Sequence, residues 1–212
     1  MACAICQTRR PRRFCPGVRG DICALCCGAE REVTVDCPLD CEFLREGRRH
    51  EKTWERDGAE FPNRDIQVTE KLLRANEELL TFLCLNIFHT AMQVPGAVDS
   101  DVREALDGLI RTYRTLQSGV YYESRPNNPL AGAVYAAVQG ALAEYREREQ
   151  KELGMTKTRD ADVLGVLVFL QHLALHRDNG RRRGRAFLDA LREFHPPEAE
   201  SSGSSPSSVI LR

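Results

Sequence analysis

Apolar and polar positions alternate in two different ways along this chain, and the change falls near residue 64. Beyond it, apolar residues recur at threes and fours, the period of a helix buried along one face. Leu72, Leu73, Leu79, Leu80, Leu83, Ile87, Phe88, Ala91 and Val94 predict a long first helix, closed by Pro95-Gly96. Val102, Leu106, Leu109, Tyr113 and Leu116 form the stripe of a second, opened by Asp99-Ser100-Asp101 and closed by Gly119. Asn128-Pro129 caps a third, with Leu130, Val134, Val138, Leu142 and Tyr145 inward and a charged end running to Lys151 before Gly154. The fourth starts over residues 158–162 and is apolar all round from Val163 to Leu170, so it belongs at the centre of the others; Asn179-Gly180 stops it. Phe187, Leu188, Leu191 and Phe194 share one face of a short fifth helix, before His195-Pro196-Pro197. No repeat period is visible, so a bundle is expected and not a solenoid.

Before residue 65 the helical period is absent. Val33 and Val35 alternate with polar neighbours over residues 31–36, and with Gly20-Asp21 as a turn they predict a short hairpin. Residues 42–57 are dense in charge, with Phe43, Leu44 and Trp54 as large apolar anchors, and read as an exposed helix ended by Asp57-Gly58. Trp54 is expected to pack that helix onto the helical domain, and Phe61-Pro62-Asn63 is the linker into it. The serine-rich tail is expected to be disordered, with Val209-Ile210-Leu211 near its end. The predicted organisation is therefore residues 1–42, a cysteine module; 43–64, a bridging helix and linker; 65–195, a five-helix bundle-like domain; and 196–212, a tail. The fold class is mainly α, with a short β-hairpin plus helix in the N-terminal module.

Composition changes this picture at one place. Eight of the nine cysteines, Cys3, Cys6, Cys15, Cys23, Cys26, Cys27, Cys37 and Cys41, fall in the first 41 residues. Eight thiols fill two four-sulfur zinc sites, and two cysteines separated by two residues, as in Cys3/Cys6 and Cys23/Cys26, reach one ion from a tight turn. Pro38 suits a first helical position, which would set Cys37 near an N-cap and Cys41 above it on the same face. The N-terminus carries no apolar run of a secretory signal, and residues 163–170 are too few to span a bilayer, so a cytoplasmic location is expected. A reducing compartment favours metal over disulfides. So small a core needs metal to fold, and eight thiolates leave no open coordination position, so the expected role of zinc is structural and not catalytic.

The order of pair, single cysteine, pair and further set, carried by Cys3 and Cys6, Phe14-Cys15, and Ile22-Cys23 with Cys26, resembles the cross-brace zinc modules of the B-box and RING type. In that family the first and third ligand sets share one ion. The resemblance implies a first zinc on Cys3, Cys6, Cys23 and Cys26 and a second on Cys15, Cys27, Cys37 and Cys41. It covers about a fifth of the chain. The chain departs from it in lacking the closing histidines of a B-box, in the adjacency of Cys26 and Cys27, and in the three residues between Cys37 and Cys41. His50 is the alternative to Cys27 as a ligand.

Net charge is −1, which gives no whole-molecule argument for nucleic acid or an anionic membrane. Local clusters exist. Arg9, Arg10, Arg12, Arg13 and Arg19 offset the negative charge of zinc-bound thiolates, or else contact phosphates; Arg177, Arg181, Arg182, Arg183 and Arg185 exceed what capping the fourth helix requires. His172 and His176 stand four apart on that helix but lack the glutamate of a zinc-protease motif, since Leu173 occupies its place. Cys84 reads as a buried, inert thiol. The connection over residues 118–129, with Tyr121, Tyr122 and Arg125, is the longest between helices. The sequence thus favours a non-enzymatic zinc-binding protein with two structural zinc ions, whose cysteine module recruits a protein partner while the helical domain scaffolds or forms a homo-oligomer. The alternatives are a nucleic-acid-binding regulator using the arginines at 9–19 and 177–185, and an enzyme built around Tyr121, Tyr122, Arg125, His172 and His176.

Overall fold

The structure is a computed structural model that describes residues 2–51 and 61–194. Trp54, Asp57-Gly58 and the tail over 196–212 lie outside the described residues. Mainly helical, the described chain holds one antiparallel hairpin, β1 (Arg13–Cys15) and β2 (Gly20–Ile22), followed by α1 (Ala24–Glu30) and α2 (Glu42–Arg49). Six helices follow: α3 (Glu70–Ala75), α4 (Glu77–Gln93), α5 (Asp99–Gln117), α6 (Pro129–Leu153), α7 (Asp160–His176) and α8 (Ala186–Arg192). None is long and apolar enough to cross a membrane.

Two expectations about the N-terminal segment are corrected. Gly20-Asp21 is not a turn but part of β2, paired so that Phe14 lies opposite Asp21 and Cys15 opposite Gly20. The reversal sits at residues 16–19, where a Cβ on Gly17 would lie 2.5 Å from the Asp36 carbonyl oxygen. Residues 31–36 form a turn instead of strands: the Glu30 carbonyl accepts the N–H groups of Val33, Thr34 and Val35, and Glu32 takes a left-handed φ of 53°.

The first long helix is also two helices. Asn76, at φ −122° and ψ 28°, ends α3, and its side-chain amide and backbone N–H both donate to the Leu72 carbonyl. Glu77 and Glu78 then supply the first turn of α4, where carboxylates oppose the positive helix end. The other boundaries follow local chemistry. Asn128 accepts from Leu130 N–H ahead of Pro129 in α6, and Gly154 closes it at φ 72°.

Two hydrophobic clusters result. The larger is built on α7, whose Val163, Leu164, Val166, Leu167, Val168 and Leu170 are wholly buried, as an all-round apolar helix requires. α5 packs against both α6 and α7, and α4 against α6 and α8. Gly108 of α5 allows residues 124–126 to cross closely, since a Cβ there would meet the Ser124 carbonyl oxygen at 2.6 Å. The smaller cluster gathers Cys3, Cys15, Ile22, Cys23, Cys26, Val35, Cys37 and Leu44. Leu44 brings α2 into that cluster, while Phe43 lies under the Arg13 guanidinium, 3.9 Å from the ring centroid.

Candidate metal centre

The turn after Cys3 reverses through Gln7, at φ 55°, with Gln7 N–H donating to the Cys3 carbonyl and Ala4 N–H to the Asp21 carbonyl of β2. That pairing lays Cys3 and Cys6 over the start of α1. There Cys23 is the N-cap residue, its sulfur accepting from Cys26 N–H at 3.4 Å, while Cys23 N–H donates to the Cys3 sulfur at 3.2 Å. The four sulfurs of Cys3, Cys6, Cys23 and Cys26 all lie within 4.8 Å of one another. Four sulfurs bound tetrahedrally to one zinc at about 2.3 Å stand about 3.8 Å apart, so only a small closure separates this cluster from a complete ligand set.

Three of these thiols are shifted, and in opposite directions. The hydroxyl and N–H of Thr8 pull the Cys6 thiol down to about 5, whereas burial and the neighbouring thiols push Cys26 up to about 12. Burial opposes ionisation of Cys3, but the N–H groups of Cys6, Cys23 and Ile5 outweigh it and lower that thiol. Crowded thiols compete for negative charge, and a divalent cation at their centre removes the competition by stabilising all four thiolates. Arg9 adds positive charge at the rim, and Cys23 and its neighbouring thiols shift that guanidinium upward.

Cys15 ends β1, Cys27 lies in α1, and Cys41 is the N-cap residue of α2. Cys37 precedes that helix, which begins at Glu42, so Pro38 is not its first residue and the two cysteines do not stack on one helical face. All four nevertheless border one small cavity of about 20 Å³, beside Ile22 and Leu44. Burial is the main cause of the raised Cys37 thiol, opposed by the Glu32 N–H and helped by the charges of Glu32, Cys15 and Cys41, and Arg13 Nη1 lies 3.7 Å from the Cys27 sulfur. His50 caps α2 on its outer side, 77% exposed and 3.1 Å from Glu46, and does not border this cavity.

The second arginine cluster is placed quite differently from a patch. Arg181 donates to the Arg31 carbonyl at 2.7 Å and pairs with Glu51 at 3.0 Å; Arg185 pairs with Asp36 at 2.8 Å and Arg183 with Asp36 at 3.5 Å. Arg177 and Arg182 remain exposed. At the centre is Glu32, wholly buried, whose carboxylate accepts from Arg48, from the Asn179 amide at 2.9 Å and from Arg185 N–H at 2.9 Å. Nothing in the sequence singled out Glu32: it is one acidic residue in a charged stretch, Arg48 stands 16 positions on, and Asn179 and Arg185 stand 147 and 153 positions away.

The remaining candidates separate. His172 Nε2 lies 2.7 Å from the Pro62 carbonyl with its ring against Phe61, while His176 is exposed at the end of α7. Cys84 is fully buried, its thiol pushed up to about 12 by burial. Tyr121 and Tyr122 are exposed, with Glu123 bonded to both Tyr121 and Arg125. Comparison of the chain with protein-family models, curated proteins and solved structures gives no match.

Proposed function

We propose that this is a zinc-binding, non-enzymatic interaction protein of the reducing cytoplasm, in which two structural zinc ions fold the cysteine-rich segment into a platform for a protein partner and the helical domain serves as scaffold. The first ion is held by Cys3, Cys6, Cys23 and Cys26, and the second by Cys15, Cys27, Cys37 and Cys41. The observation that carries this reading is the meeting of four sulfurs from two sequence-distant pairs within 4.8 Å. Their order, with Cys15 lying in the sequence between the two pairs, is the interleaving that a cross-brace of the B-box and RING type requires. The other four cysteines border one narrow cavity but do not gather as closely as the first four, so the second ion rests on the cysteine count and the cross-brace order. No thiol is spent on a disulfide. Recruitment of a protein is supported by Phe14, Leu25 and Val33, large apolar side chains left 61%, 65% and 39% exposed on the same small segment.

Metal analysis of the purified chain tests the reading: two zinc ions per chain are expected, and one or none overturns the two-site assignment. Capture of a partner by the wild type and its loss with Cys23→Ser tests the platform. Nucleic-acid binding is the competing reading, and it keeps Arg10, Arg12, Arg19, Arg177 and Arg182, which face solvent. Binding to generic DNA or RNA that weakens steeply with salt would favour it.

A further inference from the structure

The two cysteine sets differ in what is attached to them. The chain leaves α1 after Glu30, three residues past Cys27, and returns at Cys37, and Glu32 lies in the turn between. α2, which carries Arg48, starts directly after Cys41. Both halves of the buried Glu32–Arg48 pair are therefore rooted in the second set. Across the junction, Arg183 N–H donates to the Glu32 carbonyl at 2.7 Å and Arg185 N–H to its carboxylate at 2.9 Å. Arg48 also bonds Asp189 of α8. Ion pairs and hydrogen bonds reach from this segment to residues 177–192 at Arg31, Glu32, Asp36, Asp40, Arg48 and Glu51. The first set lies upstream of them all.

We infer that the second metal site is the joint of the molecule: an ion on Cys15, Cys27, Cys37 and Cys41 sets Glu32 and Arg48 in register and so docks the cysteine-rich segment on the helical domain, whereas an ion on the first set folds only the outer part of that segment. The inference rests on the two-zinc reading above. A buried carboxylate and guanidinium must meet in fixed geometry to offset their desolvation. The chain alone holds residues 28–36 by backbone hydrogen bonds around Glu30. A four-sulfur ion ties both ends of that excursion to the start of α2.

Hydrogen exchange on the full-length zinc-loaded protein tests the joint through the amides of Arg183 and Arg185. In Cys37→Ser these two amides should exchange at least about tenfold faster, while α5 and α7 stay protected; in Cys6→Ser they should keep their protection. Glu32→Gln should release the Arg185 amide with both zinc ions still bound. Slow exchange at both amides in Cys37→Ser, or equal release in Cys6→Ser, overturns the inference. So does loss of α7 protection in Cys37→Ser, because the helical core would then depend on the metal directly. A wild type carrying a single zinc is read from metal content alone and removes the two-site premise; two ions with unchanged exchange removes the joint and leaves that premise standing.

Discussion

The carboxylate of Glu32 and the guanidinium of Arg48 meet at 2.7 Å with their side chains only 1% and 12% exposed, between the two hydrophobic clusters of the molecule. Removing one partner of such a pair leaves the other charge buried, at a cost of about 3–5 kcal/mol. Arg48→Met should fall near the lower end, about 3 kcal/mol, because Glu32 keeps the Asn179 amide and the Arg185 N–H. Urea unfolding of the zinc-loaded protein measures it, and a loss below about 1 kcal/mol would mean the pair is no more than a surface contact.

Gly108→Ala should destabilise the helical domain by about 1–3 kcal/mol, the usual range for overpacking. The added methyl would meet the Ser124 carbonyl at 2.6 Å and the Tyr135 ring at 3.2 Å, neither a freely moving tip. Thermal unfolding checks it, with Gly140→Ala as the control, since nothing lies within 4 Å of a Cβ there.

Asp99 carries a pH dependence. Burial raises its carboxyl to about 7, although the N–H groups of Phe187 and Leu188 donate to it at 2.8 and 3.1 Å and Arg103 also works against the rise. A carboxyl whose folded value lies above its unfolded value of about 3.9 binds more protons when folded. Its contribution is therefore full below that unfolded value and is lost as pH rises through about 7. A carbon-13 titration of the Asp99 carboxyl should show a midpoint near neutrality; a midpoint below about 5 refutes this.

Chelation should separate the two clusters. A segment of this size cannot hold itself together on apolar burial, so strong chelator should abolish amide protection over residues 2–41. The α5 and α7 amides should keep theirs, because their core is large and contains none of the clustered cysteines. Loss of helical circular dichroism in proportion to metal removal would contradict this.

How far the chain can be read without its structure follows from the range of each signal. The ends of α5 and α6 were legible because Asp101, Gly119, Asn128 and Gly154 act on their own neighbours. The break at Asn76 was not, since a stripe of leucines runs through it unbroken. Alternating Val33 and Val35 suggested a strand, yet the Glu30 carbonyl collects three N–H groups there and makes a turn. Pro16-Gly17, a standard turn dipeptide, is where the hairpin reverses. For the metal centre, spacing indicated which cysteines pair. That Arg181, Arg183 and Arg185 turn inward depends on carboxylates far away in sequence, beyond what any local pattern encodes.

The reach of Glu32 sets the order in which the molecule can be completed during synthesis. Its bonds to Asn179 and Arg185 span 147 and 153 residues. The cysteine-rich segment leaves the ribosome first and has all eight clustered thiols available long before its docking partner exists. Contacts of such long range close late and slow folding. A nascent chain therefore passes through a stage with its clustered cysteines made and Glu32 not yet covered from the helical side, and only translation through Arg185 supplies that cover.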